Sequence, residues 1–275
     1  MKAQTLKVPG ATLYYETRGS GPVLLLIAGG GTDAGVFEAV AHVLAHDYTV
    51  VTYDPRGNSR SPLDGPPTDQ QIAVHSDDAR RLLSTTASGP AAVFGSSSGA
   101  IVALDLIARH PAVVSRVVAH EPPLLELLPD AARWQAFHDD VYETYRREGT
   151  EAAMQKWIAG IGLTAVTPPP DAEFPPEVAA AMKRMAGNQD LFFAHELLPF
   201  TRYVPDLARL SAHKDRIVLA VGHDTREQLA GGLVSRPAAW LAERLGTQVI
   251  EFPGDHGGYG AHPAAFAAKL REVLE

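Results

Sequence analysis

Val23-Leu24-Leu25-Leu26-Ile27 is a continuous apolar run, too short for a core helix and lacking the alternation of a strand that keeps one face in water. Such a run fits a strand buried on both faces, and that strand needs helices above and below its sheet. The pattern recurs. Residues 48–53, 91–94, 114–119, 217–221 and 248–252 are further β-rich runs, and residues 37–45, 70–83, 101–108, 238–245 and 264–274 read as helices. Strands alternating with helices predict an α/β fold, a mostly parallel sheet flanked by helices. Ahead of the first run, residues 11–17 read as part of an edge hairpin ending at Gly19-Ser20-Gly21-Pro22.

The rhythm breaks once. After Pro122-Pro123 no core-strand run occurs until about residue 205. Residues 133–147, 152–158 and 177–185 read as helices instead. They are interrupted by Thr167-Pro168-Pro169-Pro170 and Pro175-Pro176, where proline removes backbone donors and stops helices. The simplest organisation is a core domain of residues 1–123 and 206–275, with residues 124–205 inserted as a helical cap, or lid. An insert at that point overhangs the carboxyl ends of the strands, where open α/β sheets bind ligands.

Composition narrows the partners. A net charge of −8, from 24 basic and 32 acidic side chains without a basic run, repels phosphate backbones and anionic membranes. Nucleic acid and membrane are therefore not expected partners. The chain has no cysteine, which excludes disulfides, thiolate nucleophiles and cysteine-ligated metal centres. Met1-Lys2-Ala3-Gln4-Thr5-Leu6-Lys7 is not a signal peptide, so a soluble cytoplasmic protein is the expectation. Nothing in the sequence sets an oligomeric state.

Gly95-Ser96-Ser97-Ser98-Gly99 follows the third core run and opens the helix after it. This is G-x-S-x-G in the strand–turn–helix setting its mechanism requires: the central serine sits on a strained turn, and flanking glycines let strand and helix approach. Ser97 is the nucleophile candidate. The next backbone N–H, that of Ser98, lies at a helix N-terminus and faces a developing oxyanion. His256, in Pro253-Gly254-Asp255-His256-Gly257-Gly258-Tyr259 directly after the last strand, is the candidate general base, and nucleophile-then-histidine is the order expected. His42, His46, His138 and His213 read as solvent-exposed histidines.

Two carboxylates compete to orient that histidine. Asp224 follows the run ending at Val221, and Glu121 follows the run ending at Ala119, so each stands at the carboxyl end of a strand. The pattern alone leaves them nearly even. His120 alternates to the opposite face and reads as packing. His195-Glu196 in the insert is a pair of ligand types, but two residues do not make a metal site, and no metal is expected. Trp134 and Trp157, with Phe192 and Phe193, read as packing between insert and core, with one or two facing an apolar substrate. Ala28-Gly29-Gly30-Gly31-Thr32 lacks the lysine of a phosphate-binding loop.

Gly95-Ser96-Ser97-Ser98-Gly99-Ala100, His120-Glu121-x-Pro123 and Pro253-Gly254-Asp255-His256-x-x-Tyr259 resemble the zearalenone lactonases, a branch of the α/β-hydrolase family. The resemblance extends to the Gly21-Pro22 strand entry and to Asp54-Pro55-Arg56-Gly57-Asn58-Ser59-Arg60-Ser61, a turn beneath the site, and it fails in the cap. It implies an α/β-hydrolase fold and a Ser97–His256–Glu121 triad, with Asp224 in reserve. Gly30 fits the family position of the second oxyanion donor, ahead of Gly31, although this chain lacks the histidine that usually precedes that glycine. The expected function is a serine hydrolase that cleaves a small-molecule carboxylic ester or lactone through an acyl-enzyme, without cofactor. The alternatives are C–C hydrolysis, lyase or perhydrolase chemistry on the same fold, or a slow-turnover ligand receptor.

Overall fold

The computed structural model describes residues 1–162, 176–228 and 234–275. The predicted Thr167–Pro170 interruption lies outside them. Among the described residues eight strands, β1 (Lys2–Val8), β2 (Ala11–Arg18), β3 (Val23–Ile27), β4 (Thr49–Tyr53), β5 (Ala91–Ser96), β6 (Val114–His120), β7 (Ile217–Gly222) and β8 (Val249–Phe252), form one sheet in the order β1-β2-β4-β3-β5-β6-β7-β8. The β1–β2 hairpin joins β4 antiparallel at one edge, and β3 to β8 run parallel. The expected α/β architecture is present: a mostly parallel sheet with helices on both faces, among them α1 (Glu38–Leu44), α2 (Ile72–Thr86) and α3 (Ser98–Arg109). Among the described residues no helix is long and apolar enough to cross a membrane.

The apolar run that starts β3 is explained by what covers it. Leu25 and Ile27 pack with Val51, Tyr53 and Val93 against Leu82 and Leu83 of α2 and Ile101 and Leu104 of α3. Leu24 and Leu26 point the other way, with Val50, Phe94 and Val118, onto Val40 and Leu44 of α1 and Phe266 and Leu270 of the last helix. Both alternate sets are dry, so alternation of polarity has no role here.

Between β6 and β7 the described residues form no strand. They contribute α4 (Ala131–Glu148), α5 (Thr150–Ile161) and α6 (Pro176–Gly187), then the π-helical turn Phe192–Glu196, which runs into the short helix Leu197–Thr201. Pro176 starts α6 instead of stopping a helix, because the first turn of a helix has no partner for the N–H that proline lacks. The Asp54–Ser61 turn is built on charge. Asp54 accepts two bonds from the Arg60 guanidinium, at 2.7 and 2.8 Å, and Arg56 donates to Asp78 of α2 at 2.7 and 2.8 Å. Arg56 is 8% and Asp78 2% exposed, so Asp78→Ala strands a buried guanidinium. We expect a loss of about 3–5 kcal/mol, read as a lower urea midpoint at unchanged slope. A loss below about 1 kcal/mol would mean that water replaces the carboxylate.

Candidate active site

The strand register sets the site. Gly95 pairs with Ala119, Ser96 with His120, His120 with Ala220 and Gly222 with Phe252, so the residues that follow these strands emerge along one rim. Ser97 is the residue between β5 and α3, with φ 57° and ψ −127°. A non-glycine residue in such a conformation costs about 1–3 kcal/mol and persists only where its surroundings hold it. Here Ser97 N donates to His120 O at 2.9 Å, and Ser97 O accepts from Ala100 N at 2.9 Å. A Cβ on Gly95 would stand 2.3 Å from Gly99 O, and one on Gly99 would stand 2.3 Å from Ile27 O. Both glycines of the motif are therefore required by close backbone approach.

Glu121 is the second left-handed residue of the rim, at φ 52°, and its side chain is fully buried. Its Oε1 accepts from Gly222 N at 2.8 Å, and its Oε2 takes the Nδ1–H of His256. Burial works against the carboxylate, yet the His256 bond and charge and the Gly222 N–H outweigh it and hold Glu121 well below its ordinary value. Burial likewise opposes a charged His256, and the Glu121 bond and charge outweigh that too, raising the imidazole above its ordinary 6.5. Asp224 stands in the short helix His223–Gln228, where its backbone N–H donates to Gly254 O. With Nδ1 of His256 taken by Glu121, that nitrogen has no donor left for Asp224.

His120 is fully buried among Phe94, Phe252 and Phe266, the packing role expected of it. Burial lowers its pKa to about 4, so it is neutral. Among the described residues, His120, Glu121 and His256 are the group whose ligand atoms approach closely enough, within 4.8 Å, to hold a metal ion. The Glu121–His256 hydrogen bond already uses the facing atoms of two of them.

Ser97 and His256 line one cavity of about 70 Å³, whose wall includes Gly30, Ser98, Trp157 and Phe192. Among the described residues no hydrogen bond joins Ser97 Oγ to the imidazole, a contact that commonly tightens only with substrate bound. Trp157 is on the wall. Trp134 instead packs with Leu125, Leu128 and Ile161 in an apolar cluster beside it. Phe193 is buried, stacked on Tyr145. His138 departs from its expected exposure: it is 2% exposed on α4 and lines the cavity, its Nδ1–H bonded to Trp134 O at 2.8 Å. His42 and His46 are exposed and His213 half-buried.

The sequence did not reveal how the insert grips the loop after β3. Asn188 Nδ2 donates to Gly31 O at 3.3 Å, and Asn188 Oδ1 accepts from Ser59 N at 2.7 Å. Phe192 covers Gly30 so closely that a Cβ there would lie 2.7 Å from the ring. His195 and Glu196 point apart: His195 meets Asp69 at 3.1 Å, while Glu196 is buried against Gly31 and Asn58. The only signal was one acid within the apolar stretch Leu191-Phe192-Phe193-Ala194-His195-Glu196-Leu197-Leu198.

A family model described as alpha/beta hydrolase fold matches residues 22–159. The chain is 39% identical to Uncharacterized hydrolase YraK of Bacillus subtilis (strain 168), over 98% of this chain and 95% of that protein. It is 32% identical to a zearalenone hydrolase of Bionectria ochroleuca over 139 residues, which are 46% of this chain and 51% of that protein. Among solved structures, a thermophilic esterase from Thermogutta terrifontis aligns at TM-score 0.76 and 19% identity, covering 99% of this chain and 98% of that one.

Proposed function

This chain belongs to the α/β-hydrolase fold family, and from that premise we propose a serine hydrolase of carboxylic esters or lactones, with Ser97, His256 and Glu121 as its triad and residues 124–205 as its cap. The observation that carries this reading is the hydrogen bond from His256 to the buried Glu121 carboxylate, at the rim of a cavity that Ser97 also lines. Ser97 Oγ attacks the carbonyl carbon while His256 Nε2 takes its proton. Backbone N–H groups of Ser98 and Gly30 hold the tetrahedral oxyanion. His256 then gives the proton to the leaving alkoxide, and water repeats the sequence on the acyl-enzyme. Each proton moves through His256, so the sequence of steps calls for no metal or organic cofactor. The apolar wall, with Trp157 and Phe192, favours an apolar acyl or lactone substrate.

The test is a chromogenic short-chain ester mixed with near-equal enzyme. The expected result is a burst of about one phenolate per chain, with stoichiometric fluorophosphonate labelling at Ser97. Steady hydrolysis by fully labelled protein overturns the reading.

The acid side of the pH profile follows from the Glu121 partner. His256 is a base only when neutral, and its raised pKa keeps it protonated to higher pH than a free imidazole. The value of kcat/KM is therefore expected to fall toward acid with a midpoint above 6.5. A midpoint at or below 6.5 would show that Glu121 does not act on the imidazole in solution.

A further inference from the structure

Glu196 is a carboxyl cut off from water, 2% exposed, in a segment that otherwise buries Phe192, Phe193 and Leu197. Its Oε2 lies 3.4 Å from Gly31 N and its Oε1 3.4 Å from Asn58 Nδ2. Both contacts are at the outer limit of a hydrogen bond, so a charge on this group is poorly compensated. A Cβ built on Gly30 would stand 3.3 Å from the same Oε2. Behind the rim, Glu196 shares a small cavity of about 10 Å³ with Gly30 and Ser98, the two residues assigned to the oxyanion.

No charged side chain among the described residues compensates it. Tyr53 and His75 line the same small cavity. Burial keeps the phenol of Tyr53 protonated and lowers His75 to about 3, so both are neutral. Arg56, whose charge also acts on His75, is paired with Asp78. From α4, His138 is driven toward its neutral form by burial. On the insert itself, His195 turns to Asp69 and Asp190 meets Tyr145.

We infer that Glu196 is a positioning residue for the oxyanion hole. Uncharged, it seats the Gly29-Gly30-Gly31 loop against the insert; ionised, it places a negative charge behind the donors that must face an oxyanion. The inference rests on the serine-ester reading above. Burial pushes Glu196 up to about 7, with the Asn58 and Gly31 contacts pulling only weakly the other way, so the group changes charge in the working pH range. The sign follows: ionisation opposes the negative transition state, so turnover falls as pH rises through this group's titration. Together with the acid side set by His256, this gives the wild type a profile that falls on both sides. The effect falls on kcat and not on KM, because the ground-state carbonyl carries no full charge.

The experiment compares kcat and KM for a 4-nitrophenyl ester from pH 6 to 10 in wild type, Glu196→Gln and Glu196→Ala. The wild type is expected to lose roughly tenfold or more on the alkaline side. Glu196→Gln keeps the neutral-pH kcat within about threefold and holds a plateau where the wild type falls, because the amide cannot ionise. Glu196→Ala lowers kcat at every pH with KM little changed. An alkaline fall in Glu196→Gln that matches the wild type overturns the inference. The wild type gives a second, independent readout in the infrared band of its protonated carboxyl. Closing a boronate on Ser97 adds negative charge at the hole, so by reciprocity the midpoint of that band must rise. A midpoint that stays in place overturns the inference as well. Failure of the underlying reading has a different signature: ester turnover that survives Ser97→Ala.

Discussion

Replacing Ser97 by alanine is expected to lower kcat on a chromogenic ester by on the order of 10⁵- to 10⁶-fold, with KM changed little. The size follows from what one atom does here. In the proposed mechanism the Oγ is both the attacking group and the source of the proton that His256 carries, so its removal ends the covalent route altogether. What survives is the stabilisation from the two oxyanion donors and from substrate binding, which together leave a measurable rate above water. Alanine keeps a β-carbon at φ 57°, so the strain of the turn and the bond from Ser97 N to His120 O persist. Melting is therefore expected to be unchanged, which separates lost chemistry from lost structure. Adding His256→Ala to Ser97→Ala should cost almost nothing more, since the pair acts as a unit. Turnover within tenfold of wild type in Ser97→Ala removes the acyl-enzyme mechanism.

The second large effect is expected from Glu121→Gln, a fall in kcat of about 10⁴-fold. The amide is nearly the same shape and retains an oxygen for Gly222 N, but it cannot stabilise the imidazolium that forms as Ser97 loses its proton. Its NH₂ group can also face Nδ1, which then accepts and leaves the wrong tautomer toward the serine. The same change is expected to move the acid limb of the profile down, because the carboxylate is what raises the imidazole. Asp224→Asn is the matched control, with a change of no more than about threefold, since His256 Nδ1 is already bonded to Glu121. A large loss in Asp224→Asn beside a small one in Glu121→Gln would transfer the role to Asp224.

Much of this protein is written in local pattern. Continuous apolar runs announced the strands, because a strand covered on both faces shows no polar alternation, and β3 proved to feed two separate cores through its alternate side chains. Gly95 and Gly99 marked the elbow because backbone–backbone approach there tolerates no Cβ. The turn at residues 54–61, met in the sequence as part of the family resemblance, is held by the Asp54–Arg60 and Arg56–Asp78 pairs.

Other features were outside the reach of local pattern. Pattern alone left Glu121 and Asp224 nearly even, and the resemblance to a family tipped the balance. In space the question is one of register and dihedral angle: the left-handed turn at Glu121 brings its carboxylate to His256 across 135 residues of chain. His138 read as a surface histidine, since nothing in its neighbours tells which face of α4 meets the cavity. His195 and Glu196 looked like one pair and serve two different contacts, one at the surface and one behind the oxyanion loop.

What the amino-acid order determined by itself is the set of short-range requirements: where the backbone must turn, which segments must be dry, and which residue types are candidates for chemistry. Tertiary structure decided how the acid reaches the imidazole, which aromatic side chains reach the cavity, and that Glu196, from the segment between β6 and β7, stands behind the glycine loop. The physical reason is range. Propensity and polarity act over a few neighbouring residues. Hydrogen bonds across the rim and the desolvation of Glu196 depend on where distant segments come to rest against one another.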